Sequence, residues 1–334
     1  MIGPGVISLA VGLAVAVSLF VANDPGSILR LVVQAGWAVP AIVLLHLPQT
    51  AFSALGWSPL IDDPRRPGWA ALVRLRWIRE SVNNLLPVAQ VGGEVVSARL
   101  LARRGVAGVA VVASLVVDLA TEMAAQVAFA ALGLAALALI PHGGGAAGAW
   151  AVAGATALAA TMAGAFIAAQ RWGLFRLIER LLPDVAGRFG WAGLGGATGL
   201  HDAALRLYRA PRRLWLSGAA HLASWLLGTL EIWAALQFLG ADAGLAEALV
   251  IESLSQVVRS AGFFVPASLG VQEGGLVLTC ALFGIPAEQA VALSLLRRAR
   301  DVVLGVPGIV AWRWEAAAWR GVGGGAVPQA GGSP

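Results

Sequence analysis

Several ionisable residues lie inside stretches that are otherwise apolar enough to enter a membrane. A charged side chain in the hydrocarbon layer costs a few kcal/mol, so such residues usually bind a polar substrate, relay protons or pair with one another. We take five of them as candidates for coupling substrate movement to protons or ions: Asp118, Glu122, Glu231, Arg300 and Asp301. A purely structural salt bridge is the competing interpretation for each.

Two segments combine apolar residues with proline, glycine and charge in a way that a plain membrane-spanning helix does not. Residues 81–94 place Pro87 ahead of a glycine pair, and residues 259–275 place Pro266 ahead of further glycines. Irregular backbone within a membrane must be buried in protein or line a wet cavity, because lipid cannot bind its amide groups. We therefore expect two re-entrant turns, with helix N-termini that could hold an anionic headgroup.

Charged side chains stand beside both predicted turns. Glu94 follows the first turn, whereas Arg259 precedes the second and Glu273 follows it. Because they sit next to irregular backbone inside the membrane, we interpret these three residues as substrate-binding groups.

The composition indicates that the whole chain is a membrane protein. Of its 334 residues, 58% are hydrophobic and only 12% are charged, about half the charged fraction of soluble domains. The single cysteine, Cys280, excludes an internal disulfide framework and a cysteine-cluster metal site, and we expect a core thiol there. The basic residues lie in short segments between apolar runs, which argues against nucleic-acid binding. We predict no metal and no cofactor.

Six apolar runs are long enough to be counted as membrane spans. They cover residues 4–22, 31–57, 106–140, 146–169, 214–239 and 290–312. The sequence therefore predicts an all-α, polytopic helical bundle with two re-entrant broken-helix segments.

The two broken segments coincide when the chain is shifted by 179 residues against itself. The shift places Pro87 on Pro266 and superposes the second apolar run on the fifth. We interpret this as a duplication, with repeat one at residues 31–140 and repeat two at residues 210–320. The shift also places Asp118 opposite Arg297, which suggests an ion pair between the repeats.

The arginines predict how the chain lies in the membrane. They cluster at residues 65–79, 99–104 and 171–213, and positive charge is retained in the cytoplasm. This places both termini in the cytoplasm and inverts one repeat relative to the other, an arrangement that in transporters puts the site near the midplane. We expect one transmembrane domain over residues 1–320, a cytoplasmic interfacial linker at 171–213 and a disordered tail at 321–334, in a bacterial inner membrane.

Three motifs in this order resemble the membrane region of lysylphosphatidylglycerol synthases, a flippase-type domain that also occurs as a stand-alone protein. They are Asn-Asn-Leu-Leu-Pro at residues 83–87, Val-Pro-Ala-Ser-Leu-Gly-Val-Gln-Glu-Gly-Gly at 265–275 and Leu-Ser-Leu-Leu-Arg-Arg at 293–298. The resemblance covers most of residues 1–320 and is greatest to the branch associated with hopanoid biosynthesis. The second motif departs from the family, which often has glycine directly after the proline.

The resemblance implies movement of a lipid between leaflets, with a hopanoid or an anionic phospholipid as the lipid partner. Carried onto this chain, it implicates nine residues: Asn83, Pro87, Gly93, Glu94, Arg99, Pro266, Gly270, Glu273 and Arg297. With Arg259, these are the candidate substrate-binding residues. The aminoacyl-transferring domain of the full-length synthases is absent from this sequence, so the family name implies no such activity here.

Two other functions stay open at this stage. One is a membrane enzyme that modifies a lipid, although we find neither a nucleophile beside a base nor a magnesium- or zinc-type motif, and therefore predict no catalytic residue. The other is a scaffold that holds lipid-biosynthesis enzymes at the membrane. There is also no nucleotide-binding loop, so transport would run downhill or use protons or ions.

Overall fold

The computed structural model describes residues 4–86, 92–140, 199–261 and 268–322, together with Ala157 and Val265. Within these ranges the chain forms eleven α-helices, one short 3-10 helix at Ser58–Leu60 and no β-strand, which confirms the all-α prediction. The helices are α1 (Pro4–Ala22), α2 (Pro25–Gln34), α3 (Ala38–Trp57), α4 (Trp69–Leu85), α5 (Gly92–Arg103), α6 (Gly108–Leu139), α7 (Leu200–Tyr208), α8 (Pro211–Phe238), α9 (Leu245–Ala261), α10 (Val271–Ala281) and α11 (Ala287–Val322).

Three of the described helices are long and apolar enough to cross a membrane: Gly108–Leu139, Pro211–Phe238 and, with its 3-10 extension, Ala38–Leu60. A fourth span is possible if α1 and α2, which are bent by 89°, count as one. The chain is thus a multi-pass membrane protein. The predicted span at 290–312 lies within α11, whereas the span predicted at 146–169, most of the linker and residues 323–334 fall outside the described part of the chain.

The predicted run at residues 31–57 is wrong in its boundary, because the structure divides it between α2 and α3. The break lies at Ala35–Trp37, where the amide of Gly36 donates to the carbonyl oxygen of Val33 at 3.1 Å and ends the α2 ladder. Asp24 caps the other end of α2, accepting from the Gly26 amide at 3.1 Å.

Helices α3 and α8 pack antiparallel and form the centre of the bundle. Ser53 and Ser224 are joined through their hydroxyls at 3.0 Å, and His46 meets Glu231 further along. Gly56 lies directly under the imidazole of His221, where a Cβ atom would come within 2.7 Å of Nε2.

Helices α4 and α5 form the first helical hairpin, and α9 and α10 form the second. In the first hairpin, Asn83 accepts from the Gly93 amide at 2.8 Å near the tip. In the second, the hydroxyls of Ser255 and Thr279 lie 3.1 Å apart. Both hairpins are antiparallel, because in each pair the residue numbers rise on one helix as they fall on the other.

The two hairpins enter the bundle from opposite ends. The carboxylate of Asp63, just before α4, accepts from the Ala107 amide at the start of α6, and this bond lowers the pKa of Asp63. At the other end, Gln289 near the start of α11 donates to the carbonyl oxygen of Leu239, which follows α8. The described tips of the hairpins, the ends of α4 and α9, meet in the interior, where the Arg259 guanidinium donates to the Asn84 side chain at 3.0 Å.

The two largest apolar cores of the described residues lie at the two ends and leave a polar layer between them. One is built around Trp57, Leu75 and Leu101. The other is built around Ile42, Ile251 and Leu293, and it also includes Cys280. Cys280 is fully buried, which confirms the predicted core thiol. In the described part of the chain, the buried charged side chains cluster around the region where the hairpin tips meet.

Gly93 gives a test of the first hairpin. A Cβ atom there would collide with the carbonyl oxygen of Arg79 and come within 2.8 Å of the Asn83 amide oxygen, so Gly93→Ala should destabilise the protein by about 1–3 kcal/mol. The measurement is thermal unfolding in detergent. Gly274→Ala is the control, since a Cβ atom there meets nothing within 4 Å, and an equal loss in both variants would contradict the packing.

Candidate functional site

A cavity of about 500 Å³ lies between the hairpin tips. Side chains of α3, α4, α5, α6, α8, α9 and α11 line it. Its charged lining consists of five arginines, three glutamates and two histidines: Arg76, Arg79, Arg259, Arg297, Arg300, Glu80, Glu94, Glu122, His46 and His221. The site is polar because both hairpins and α11 direct charged residues to the same place.

The wall on the side of the first hairpin is held by two buried arginines of α4. Arg76 donates to Asp118 at 3.2 Å and to Glu122 at 2.6 Å. Arg79 donates to Asp118 at 2.8 Å and to Glu94 at 2.8 Å. Asp118 is fully buried and thus neutralises charge from two guanidinium groups at once. These pairs tie α4 to both α5 and α6.

The opposite wall is held by arginines of α11. Arg297 donates two hydrogen bonds to the carboxylate of Glu252 on α9, at 2.8 and 3.1 Å. Arg300 donates to Asp301 at 2.6 Å and forms an ion pair with Glu231 of α8. A bidentate arginine–carboxylate contact fixes orientation as well as charge, so α11 positions both α8 and α9.

The two histidines of the lining each contact a buried carboxylate. His221 lies 2.9 Å from Asp118, and the Nδ1 atom of His46 lies 3.0 Å from Glu231. Gln49 also donates to Glu231 at 2.7 Å. Both imidazoles therefore belong to the ion network rather than to the apolar packing.

Arg259 differs from the other four arginines of the lining. Its hydrogen bond to Asn84 is with a neutral amide, and no carboxylate of the described residues lies within 4.0 Å of it. Gln126 fixes the neighbouring backbone by donating to the Gln256 carbonyl oxygen at 3.1 Å and to the Ser260 hydroxyl at 2.5 Å. The result is a positioned cation at the cavity wall that Asp301 attracts only from beyond 4.0 Å, so its guanidinium group has no direct carboxylate contact in the described part of the chain.

The structure brings six of the predicted site residues to the cavity lining and places three others directly behind it. Those in the lining are Asn83, Glu94, Glu122, Arg259, Arg297 and Arg300. Asp118, Glu231 and Asp301 are buried behind it and paired with lining arginines. Pro87 and Pro266 lie outside the described residues.

Four predicted residues have other positions. Gly93 and Gly270 are points of close approach: a Cβ atom on Gly270, whose φ is +76°, would lie 2.7 Å from the carbonyl oxygen of Gly12 in α1. Glu273 caps α10 by accepting from the Gly270 amide and pairs with Arg298 at 3.0 Å. Arg99 is not part of the cavity lining.

The predicted ion pair between Asp118 and Arg297 is wrong. Asp118 is surrounded by Arg76, Arg79 and His221, while Arg297 pairs with Glu252. Positions that are equivalent in a repeat need not touch, and here each arginine is closer to carboxylates on the helices packed against it.

Sequence reasoning missed four of the charged residues at the site: Arg76, Arg79, Glu80 and Glu252. Arg76 and Arg79 were counted with the cytoplasmic arginines, but they are only 4% and 3% exposed. Helical spacing carries the signal that could have found them, because Arg76, Arg79, Glu80 and Asn83 fall on one face of α4.

One group of three residues brings possible metal ligands within 4.8 Å of one another: Asp118, Glu122 and His221. Both of its carboxylates already accept hydrogen bonds from Arg76 and Arg79. Two guanidinium charges at this distance repel a metal cation, so we assign the group to the ion network.

Asp118 should be indispensable to the folded state. Asp118→Asn leaves two buried guanidinium groups short of a counter-charge, and breaking a buried pair in this way costs about 3–5 kcal/mol. Thermal unfolding of the purified variant measures this. The control is Asp62→Asn, which breaks the exposed pair with Arg213 and should cost less than about 1 kcal/mol. Equal stability of Asp118→Asn and the wild type would refute the network.

The comparisons with known proteins agree with this architecture. The family model described as the lysylphosphatidylglycerol synthase TM region matches residues 5–308. No curated protein and no solved structure matches the chain. The match extends from α1 into α11 and includes every residue of the cavity lining. The chain therefore belongs to the lysylphosphatidylglycerol synthase transmembrane-region family.

Proposed function

We propose that this protein moves a polar-headed membrane lipid from one leaflet to the other without altering it chemically. The family gives the protein a role connected with membrane lipids. The cavity between the hairpin tips supplies a place for a headgroup inside the bundle.

The cavity has the size of a headgroup rather than of a whole lipid. At about 500 Å³ it falls in the range of small-molecule sites. Among the described residues, its apolar lining consists of Leu119 and Met123 on α6 and Trp225 on α8. A lipid would thus place its polar end among the arginines while its chains or rings stay beside the apolar residues or in the bilayer.

Arg259 is the observation that carries the proposal. A guanidinium group held at a cavity wall without a carboxylate in direct contact is suited to bind the oxygen atoms of a phosphate or another polar group. Arg76, Arg79, Arg297 and Arg300 already pair with carboxylates, and their role is to hold the walls.

We further propose that the hairpins are the re-entrant segments of an inverted repeat. Helices α5 and α10 start 179 residues apart, as do α6 and α11. Gly105, just before α6, and Gly284, just before α11, are also 179 residues apart, and both have a positive φ. Opening the contact between Arg259 and Asn84 would expose the cavity toward one side or the other, as alternating access requires.

The orientation and the lipid are finer parts of the same proposal. The end of the bundle that holds Arg65, Arg66 and Arg213 would face the cytoplasm of an inner membrane, together with both termini. The resemblance to the hopanoid-associated branch makes a hopanoid the first lipid to test and an anionic phospholipid the second. Partnership with lipid-biosynthesis enzymes stays a prediction.

The test is lipid translocation in vesicles that contain the purified protein. Labelled hopanoid and labelled phosphatidylglycerol are each followed between leaflets by quenching of the outer leaflet. Arg259→Gln should slow transport at least tenfold, since a hydrogen bond to a charged group is worth about 1.5–3 kcal/mol. Arg259→Lys should retain part of the activity, because the charge is kept and the bidentate geometry is lost.

Arg30→Gln is the matched control, because Arg30 lies exposed on α2 and should be replaceable without loss. Wild-type vesicles in which neither lipid moves faster than in empty vesicles would refute the proposed function. Transport that is unaffected by Arg259→Gln would refute the assignment of the headgroup site.

A further inference from the structure

We propose that His46 is a proton-binding site that couples lipid movement to proton movement, an inference that rests on the proposed function. The site lies at the cavity wall, where α3 meets α4, α8 and α11. The ligand is the proton itself.

The Nδ1 atom of His46 faces two groups, one of which binds Nδ1 when it is protonated and the other when it is not. It lies 3.0 Å from a carboxylate oxygen of Glu231 and 3.2 Å from a guanidinium nitrogen of Arg300. A carboxylate only accepts from the ring and a guanidinium only donates to it. Nδ1 therefore binds Glu231 when it carries a proton and Arg300 when it does not, so gaining or losing one proton changes its partner.

The cavity gives the proton a route to this ring. Nε2 of His46 lies 3.7 Å from Glu80, whose side chain lines the cavity and is 26% exposed. Glu231, on the other side of the ring, is 1% exposed. The neutral ring keeps its proton on Nε2, toward Glu80, and a proton from cavity water forms the Nδ1–H bond, which converts imidazole to imidazolium; the proton returns to water when that bond breaks.

Charged groups face His46 from every helix packed against it. Glu80 comes from α4, where it also pairs with Arg76; Glu231 comes from α8; and Arg300 comes from α11. Arg297 lies one turn before Arg300 on α11 and lines the same cavity.

The carboxylates of the site outnumber its arginines, so positive charge on the imidazoles can be neutralised. The five arginines of the lining stand among seven carboxylates of the lining and the network behind it: Glu80, Glu94, Glu122, Asp118, Glu231, Glu252 and Asp301. The remaining negative charge matches the two imidazoles, His46 and His221. Of these, His46 is the one placed between a carboxylate and a guanidinium.

A change at His46 is transmitted to the second hairpin through α11. Arg300, the partner that the ring gains when it loses its proton, lies on the same helix as Arg297 and Arg298. Those two residues hold Glu252 of α9 and Glu273 of α10. The protonation state of His46 thereby affects the position of the second hairpin, α9 and α10, which carries Arg259.

The first test is whether a pH gradient drives lipid asymmetry. Vesicles with the full-length protein and a trace of labelled phosphatidylglycerol or hopanoid are given a gradient of about one pH unit. With one proton per lipid, the label should reach about a tenfold difference between leaflets and lose it when nigericin collapses the gradient. Equal distribution despite transport would overturn the coupling and leave the proposed function intact; no transport at all would remove both.

His46→Gln tests the residue, with His201→Gln as the matched control outside the cavity. We expect the gradient-driven asymmetry to vanish in His46→Gln and to persist in His201→Gln. Asymmetry that persists in His46→Gln would overturn the assignment to this ring.

Imidazole ¹⁵N resonances of the wild type decide the matter if His46→Gln moves no lipid. The chain has four histidines, so the missing signal in the variant identifies His46. Its Nδ1 should change between protonated and bare forms as the pH of the bilayer sample is varied. A single protonation state at every pH at which the protein stays folded would overturn the proposal.

Discussion

The need to neutralise buried charge organises this protein. Five arginines enter the interior of a membrane bundle, where an unpaired charge is costly. Four of them are paired with carboxylates of neighbouring helices, and Asp118 and Glu122 each contact the same two guanidinium groups, those of Arg76 and Arg79. The ion pairs thus link neighbouring helices to one another through the polar layer, whereas the two largest apolar cores pack the helices on either side of it.

The hairpins follow from the same constraint. The ends of α4 and α9 lie inside the bundle, where irregular backbone must be covered by protein or water. Long helices of the opposite half provide the support: Gln126 of α6 holds the end of α9, and Leu304 of α11 accepts a hydrogen bond from Trp77 of α4. The polar cavity lies where the two supported tips meet, and Arg259 is its one lining cation without a carboxylate partner among the described residues.

The sequence predicts the helical, multi-pass class and the positions of both breaks, because these depend on composition and on glycine and proline in the chain. It does not predict pairing. Counting arginines assigned Arg76 and Arg79 to a cytoplasmic surface, although their helical spacing with Glu80 and Asn83 forms a polar face that the fold turns inward. The partner of Arg297 depended on which helix packs beside α11, which no spacing within the chain reveals.

Cross-linking between the hairpin tips tests the central claim most directly. In a Cys280→Ala background, Asn84→Cys combined with Arg259→Cys should be joined by a short bifunctional thiol reagent in native membranes, since these side chains touch across the cavity. The control pair, Asn84→Cys with Arg30→Cys, should stay unlinked. Efficient linking of the first pair alone is the result we predict; failure of that pair to link in well-folded protein would contradict the meeting of the two hairpins.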